Sequence, residues 1–400
     1  MDHRFLRRLA LGLSVIGLGA CWTFGDGGGV GNGGTSNSAG CGASVGISSP
    51  CNDPDPNAPA APPARSSMHR EGGATRWFVL RSVRLGEATP DLSRDSCAWK
   101  SIGFDLDRRN VTADISKLST GGDGDPKVSC HRLPGSPSAI LTDGVGGIDN
   151  NFGARLVATL ESFNDFGYTP DSGPPPRPLD EQVDDQLKHG SETVLLRIDN
   201  AFDDDEASAP GALFAVAALP SGSPGSTDSW PVYADSLVGS VDLARPRIVF
   251  PNGYVAGGTW VSGVANSRFE IPMTFGGSVD ERIAWPIDAG LIAFRLVGGR
   301  GTLAGAMDVE SLKAALTPVA AKFGICPGNA TFEQIASTLR QSADLVLGAP
   351  QLQDPTRTCD ALSVGIGIEM VPAKPPTTVV PRPPPVSSAD CSTSDAGAKD

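Results

Sequence analysis

The sequence predicts a mainly β protein with a few helices, an α+β chain whose strands form a disulfide-stapled β-sandwich or jelly-roll-like domain. Glycine and proline are abundant, with 49 and 34 of 400 residues, and this balance favours short strands joined by many turns. Short apolar stretches separated by Gly, Pro or Asn recur from residue 74 to residue 371. Eight cysteines supply the material for the disulfide bonds.

Alternation of apolar and polar residues predicts the first strand over residues 74–86. A second strand is expected over 101–107, where Asp105 and Asp107 would point to the same face. Residues 168–190 are proline-rich and predict an irregular excursion over the surface. The remaining predicted strands lie at 192–198, 212–219, 231–239, 246–266, 268–277, 290–299 and 361–371. This succession of strands and turns is typical of a β-sandwich.

Helical periodicity appears in three places. The first helix follows residues 142–153, TDGVGGIDNNFG, and we expect Asn150 or Asn151 to cap it through a side-chain oxygen. Two more helices are predicted between the last two strands. Pro318 should kink or split the first of these, and Thr331 opens a pattern that resembles a capping box at the start of the second.

The amino terminus has the features of a bacterial export signal. Arginines precede an apolar stretch at residues 9–20, which is too short to span a bilayer. Leu18-Gly19-Ala20-Cys21 then resembles the lipobox of bacterial lipoproteins, in which the cysteine carries a lipid and the chain is cleaved just before it. We therefore predict lipidation at Cys21, attachment to a membrane by that lipid, and a location in the cell envelope, most simply at the outer membrane. Ordinary secretion and a retained anchor are the alternatives.

Composition divides the chain into four parts. Residues 1–20 form the predicted lipoprotein signal peptide, 21–73 a low-complexity flexible tether, 74–371 the globular β-rich domain, and 372–400 a disordered Pro/Ser/Thr-rich tail. The net charge is −13, and no basic cluster stands out in the globular part. This argues against nucleic acid as a partner, because nucleic-acid binding needs a positive surface.

The cysteines predict disulfide bonds, since an exported chain meets an oxidising environment. Positions along the chain suggest three pairs: Cys97 with Cys130, Cys326 with Cys359, and Cys41 with Cys51. Cys391 is left over in the tail. No CxxC pattern occurs, so metal ligation by these thiols is the less favoured role.

Four aspartates form a candidate calcium site: Asp105, Asp107, Asp143 and Asp149. Calcium takes six to eight oxygen ligands, and a glycine-rich loop between Asp143 and Asp149 could wrap one ion. The alternative is structural, with Asp149 accepting hydrogen bonds from backbone N–H groups and an asparagine capping the helix. A carboxylate pair for glycoside hydrolysis is a third reading.

No catalytic residue is predicted. The four histidines are scattered and no HExxH occurs, so neither a catalytic triad nor zinc hydrolysis is indicated. A non-enzymatic binding or structural protein is the leading interpretation, with its protein or glycan ligand undefined. The alternative is a carbohydrate-binding or carbohydrate-acting β-sandwich, for which four aromatic residues are candidate contacts: Trp230, Trp260, Trp285 and Tyr254.

The motifs LGAC, GFDLD, DGVGGIDNNFG and CDALSVGIGIEMV together resemble a family of uncharacterised envelope lipoproteins of myxobacteria-like proteobacteria. The resemblance extends over most of residues 75–371. It implies an envelope location, and it implies neither an activity nor a set of catalytic residues.

Overall fold

The structure is a computed structural model that describes residues 51–89, 93–109, 129–133, 136, 142–164, 176–219, 228–275, 282–321, 325–383 and 391. The predicted signal peptide lies outside these residues, as do Cys21 and Cys41 and the end of the predicted tail beyond Cys391. The predictions of export, lipidation and membrane attachment therefore remain predictions.

Twelve strands in the described residues form one mixed sheet, which confirms the mainly β class. The sheet order is β12-β4-β3-β2-β1-β11-β10-β9-β7-β6, with β5 paired to β3 and β8 paired to β9. The strands are β1 (Ala74–Arg84), β2 (Thr193–Ala201), β3 (Gly211–Val216), β4 (Val232–Tyr233), β5 (Ile248–Phe250), β6 (Tyr254–Ala256), β7 (Thr259–Val264), β8 (Phe269–Thr274), β9 (Arg282–Arg295), β10 (Arg300–Asp308), β11 (Ala361–Pro372) and β12 (Val379–Val380).

The sheet curls until its β6 edge meets the chain just before β3. There the Glu206 N–H donates to the Val255 carbonyl at 2.9 Å, and the Val255 N–H donates back to the Glu206 carbonyl at 2.8 Å. Across the enclosed space, the rings of Phe78 on β1 and Phe294 on β9 pack edge to face at 5.1 Å. Because β1 and β9 are not neighbours in the sheet, this contact places the main core inside the curl.

A second apolar cluster covers the outer face of β1, β2 and β3. Val79, Leu195 and Phe214 point outward, while Phe78 and Leu196 on the same strands point into the main core. This is the period-2 alternation of a strand, with both faces buried. The cover comes from residues 228–239 and from the segment after β11, where the Ala373 N–H donates to the Trp77 carbonyl at 3.0 Å.

Four α-helices lie among the described residues: α1 (Ala158–Asn164), α2 (Leu179–Lys188), α3 (Val309–Ala321) and α4 (Ala330–Gln341). A π-helical segment, Phe152–Val157, leads into α1, which confirms the helix predicted after residue 153. Pro318 does not split α3. The Asn329 side chain caps α4 by accepting from the Thr331 and Phe332 N–H groups, so the predicted capping box at Thr331 is wrong. Within the described segments, no helix combines the length and the apolar character needed to cross a membrane.

Helix α2 lies in the segment predicted as an irregular surface excursion, and that prediction is wrong. Leu179, Val183 and Leu187 recur every fourth residue and are buried on one face of α2. The acidic residues between them lower the mean hydropathy and hide this pattern. The predicted strand at 101–107 is also wrong: a 3-10 helix occupies Ala98–Ser101, and the only pairing nearby in the described residues is a bridge between Phe104 and Asp149.

The disulfide pairing differs from that predicted. The bonds join Cys51 to Cys97, Cys130 to Cys359, and Cys326 to Cys391. Spacing along the chain misleads here because the curled sheet brings together residues that are distant in sequence. Cys391 is therefore paired, and all three predicted pairs are wrong, since Cys51 is bonded to Cys97 and not to Cys41. The bonds also attach Cys51 and Cys391 to the domain, although composition assigns these two residues to the tether and the tail.

Candidate metal centre

Three of the four predicted aspartates converge on one point. Carboxylate oxygens of Asp105, Asp107 and Asp149 all lie within 4.8 Å of one another. Asp107 and Asp149 are buried, and Asp105 is half-buried. The Asp149 N–H donates to the Phe104 carbonyl at 3.0 Å, and this single antiparallel bridge sets the two segments side by side.

A tight glycine turn positions Asp149. The Gly144 N–H donates to the Ile148 carbonyl at 2.7 Å and closes the turn. A Cβ atom at Gly144 would lie 2.3 Å from the Lys100 carbonyl oxygen, so a larger residue does not fit. Gly147 has a φ of 99°, a left-handed conformation that favours glycine. The glycines of the turn thus bring the backbone close to the segment that carries Asp105.

Asn150 fastens this turn to its surroundings and acts as the predicted cap. Its Oδ1 accepts from the Gly153 N–H at 2.9 Å and from the Gly365 N–H at 3.0 Å. Its Nδ2 donates to the Ile102 carbonyl at 2.8 Å. One buried amide therefore joins the start of the helix, the strand β11 and the segment before Asp105.

The carboxylates accept hydrogen bonds from nearby donors. Asp149 Oδ2 accepts from the N–H groups of Leu106, at 2.6 Å, and Asp107, at 3.2 Å. The Arg109 N–H donates to Asp107 Oδ1 at 2.7 Å and to Asp105 Oδ1 at 3.1 Å, and Ser129 Oγ donates to Asp107 Oδ2. The predicted structural role of Asp149 as a backbone acceptor is thus confirmed, in the same arrangement that gathers the carboxylates.

Burial and mutual repulsion make the ionised forms of these groups costly. Burial, reinforced by the Asp107 charge, raises the pKa of Asp105 to about 6. Burial also raises the pKa of Asp107, against hydrogen bonds from Ser129 and Arg109. The pKa of Asp149 is raised well above its usual range, first by burial and then by the Asp107 charge. A divalent cation among these carboxylates would supply compensating charge and lower this cost.

Asp143 is not one of the converging carboxylates. It is buried close enough for its charge to raise the pKa of Asp149, but its oxygens are not among the group that lies within 4.8 Å. Asp143 therefore lies near the cluster without belonging to the converging group, and its part in the site remains a prediction.

Asp344 is a further acidic neighbour that the sequence did not reveal. Its carboxylate accepts from Ser363 N–H at 2.7 Å and from Ser363 Oγ at 2.5 Å. Burial raises its pKa to about 7, and the charge of Asp107 adds to this effect. Asp344 lies far from the other aspartates in sequence, and nothing in its local pattern distinguishes it from an ordinary helix-end aspartate.

The size of the cluster suits a large divalent cation. Calcium bonds to oxygen at about 2.3–2.6 Å, so two ligands on opposite sides of one ion lie roughly 4.6–5.2 Å apart, which is comparable with the 4.8 Å limit of the cluster. Carboxylate oxygens are hard ligands that calcium prefers. The residues present therefore fit a calcium ion, with Ser129 Oγ adjacent to Asp107 as a further oxygen.

The aromatic residues considered for carbohydrate contacts do not form an exposed platform. Trp230, Trp260 and Trp285 are fully buried in the apolar clusters, and Trp260 Nε1 donates to the Ala209 carbonyl at 2.8 Å. Tyr254 is half-buried, and its hydroxyl donates to the Pro63 carbonyl at 2.7 Å. The three tryptophans are therefore not placed to contact a carbohydrate, as the alternative interpretation requires.

Comparison with protein-family models, with curated proteins and with solved structures gave no match for the chain.

Proposed function

We propose that the chain is a lipid-anchored cell-envelope protein whose β domain is a non-enzymatic binding or structural module, stabilised by calcium at Asp105, Asp107 and Asp149. The observation that supports the calcium site is the convergence of three carboxylates, two of them buried, within 4.8 Å. Three carboxylates at this spacing repel one another when ionised, and a divalent cation removes that repulsion.

The geometry favours a structural role for the cation. Asp105 and Asp107 belong to one segment and Asp149 to another, and Ser129 Oγ binds Asp107 from a third. None of these three segments is a strand of the sheet. An ion at their centre would therefore crosslink segments that the sheet itself does not hold together. A ligand that binds only the folded state adds about 2.7 kcal/mol of stability at a hundredfold excess over its dissociation constant.

The calcium site is tested by thermal melting of the purified full chain in excess calcium and in EDTA. We expect calcium to raise the melting temperature of the wild type and to leave that of an Asp149→Asn variant unchanged. The asparagine Oδ1 still accepts a backbone N–H, so the variant removes charge more than it removes hydrogen bonds.

Asp199→Asn is the matched control, because Asp199 occupies the corresponding place in the similar sequence IDNAF. This variant should respond to calcium like the wild type. Equal shifts in the two variants, or no shift in the wild type, would refute the calcium site.

The membrane anchor is supported by the lipobox at Leu18–Cys21 and by the envelope-lipoprotein resemblance. Metabolic labelling with a fatty acid should mark the wild type, and Cys21→Ala should abolish the label and release the protein from the membrane fraction. A labelled Cys21→Ala variant would overturn this assignment.

A further inference from the structure

Residues 51–73 lie along the outside of the domain and are called the strap here. Every residue of the strap is exposed or half-buried, and none is buried. The strap therefore has no core of its own. What holds it is a series of hydrogen bonds, its covalent continuation into β1, and one disulfide bond at its other end.

Most contacts of the first part of the strap use backbone groups. The Asp55 N–H donates to Ser101 Oγ at 3.0 Å, and the Ala60 carbonyl accepts from the Asp105 N–H at 2.7 Å. The Pro63 carbonyl accepts from the Tyr254 hydroxyl at 2.7 Å. Such bonds, open to water, each contribute only about 1 kcal/mol.

The second part of the strap docks on residues 200–208. The fully buried carboxylate of Glu206 accepts from the Arg70 N–H at 2.7 Å and is hydrogen-bonded to His69 Nδ1 at 2.9 Å. The Asn200 side chain accepts from the Gly73 N–H at 2.8 Å and donates to the Arg70 carbonyl at 3.0 Å. This end is the firmer one, because it is also continuous with β1.

The Cys51–Cys97 bond closes the other end and is the disulfide that a reductant reaches most easily. Cys51 is exposed, whereas Cys130 and Cys359 in the bond across the domain are 1% and 4% exposed. Thiol–disulfide exchange requires access of a thiolate to one of the sulfur atoms. Exposure therefore predicts that Cys51–Cys97 reacts before Cys130–Cys359.

We propose that the strap is a redox-controlled latch that sets the length of the membrane tether. With Cys51–Cys97 intact, the strap is docked and the tether ends at Cys51. Reduction by a dithiol frees the first part of the strap, so that the tether lengthens towards β1. The effect on tether length rests on the proposed lipid anchor at Cys21, whereas the latch itself does not.

The chemistry is a two-electron exchange. A thiolate of the dithiol attacks Cys51 Sγ, the Sγ–Sγ bond breaks, and Cys97 leaves as a thiolate that takes up a proton. The second thiol of the reductant then attacks the mixed disulfide, which leaves Cys51 as a thiol and the reductant as a disulfide. Fully extended, the first part of the strap, residues 51–65, would add roughly 50 Å of reach, at about 3.3 Å per residue.

Trypsin provides the test, because Arg65 and Arg70 lie inside the strap. The full chain is digested briefly and the rate of cleavage at Arg65 is followed by mass spectrometry. A Cys51→Ser, Cys97→Ser double variant should be cleaved there at least tenfold faster than the wild type. The matched control, Cys326→Ser with Cys391→Ser, opens a disulfide at the other end of the chain and should leave that rate unchanged.

A second measurement uses the wild type and covers the case in which the double variant does not fold. The protein is treated with increasing dithiothreitol, alkylated, and mapped. Cys51 and Cys97 should be labelled before Cys130 and Cys359, with cleavage at Arg65 rising in step. Unchanged cleavage after Cys51–Cys97 is opened, or earlier reduction of Cys130–Cys359, would overturn the latch. Neither readout depends on lipid, so failure of fatty-acid labelling at Cys21 removes the anchor and leaves the latch standing.

Discussion

Two stretches of the chain, IDNNF at 148–152 and IDNAF at 198–202, share four of five residues and behave differently. Their asparagine side chains, however, make similar hydrogen bonds to backbone groups. Asn150 joins three separate backbone segments through its amide, and Asn200 joins Gly73, Arg70 and Ser208 in the same manner. In both places a local motif holds together pieces of chain that are distant in sequence.

The aspartates of the two stretches diverge. Asp149 is buried among other carboxylates, and its pKa is raised well above the usual range by burial and by Asp107. The Asp199 side chain is 38% exposed, and it accepts from Thr75 Oγ1 at 3.0 Å and from Arg197 Nε at 3.1 Å. The motif therefore determines which backbone segments its asparagine joins. Burial and neighbouring charges determine whether its aspartate is a candidate metal ligand.

Truncation of the two asparagines should produce the largest difference between the two stretches in the free energy of unfolding. Asn150→Ala leaves the Gly153 and Gly365 N–H groups and the Ile102 carbonyl without this partner in a buried place, and each such group costs about 1–3 kcal/mol. We expect a loss of about 4 kcal/mol in the free energy of unfolding, measured with urea.

Asn200→Ala is the matched variant at a half-buried place where water replaces the amide. It should cost about 1 kcal/mol. Equal losses in the two variants would break the comparison, because burial would then not distinguish the two asparagines.

The effect of burial on carboxylates predicts a pH dependence away from the metal centre. Burial raises the pKa of Glu87 from 4.5 to about 8, and Glu161 and Asp180 add to the shift. Burial likewise raises the pKa of Asp180 from 3.8 to about 7. The folded protein thus keeps protons that the unfolded chain releases. Its stability should be greatest in acid and should fall as the pH rises to about 8, by on the order of 3 kcal/mol.

Urea unfolding between pH 5 and pH 8.5 in EDTA measures this slope without a contribution from bound cation. Glu87→Gln should flatten it, since the amide is neutral at every pH. Glu333→Gln on the exposed side of α4 should keep the wild-type slope. An increase in the free energy of unfolding of the wild type with pH would contradict the raised pKa values of Glu87 and Asp180.

Sequence reasoning succeeded where the signal is local. Alternation located β1, and helical periodicity located the helix after Phe152, because both patterns arise within one element. The prediction of Asp105, Asp107 and Asp149 as neighbours also held, although the predicted strand that was to align the first two does not exist. Their meeting depends on a loop and one backbone bridge.

What the sequence could not supply depends on the curl of the sheet. Asp344 is held against β11 by its hydrogen bond with Ser363, and Cys359, just before β11, is bonded to Cys130. Spacing along the chain carries no information about such contacts. Helix α2 was missed for a different reason, since three apolar residues separated by acidic ones look like a solvated segment.

The attachment of Cys51 to Cys97 also decides how mechanical load enters the domain. A pull from a membrane-bound Cys21 would otherwise act on the first residues of β1, peeling that central strand away from β2 and β11 one hydrogen bond at a time. With the bond in place, the force enters the domain first at Cys97, next to the 3-10 helix at Ala98–Ser101, rather than at the first residues of β1. If the chain is anchored at Cys21 as proposed, the disulfide bond therefore protects the amino-terminal end of β1 from being peeled off the sheet.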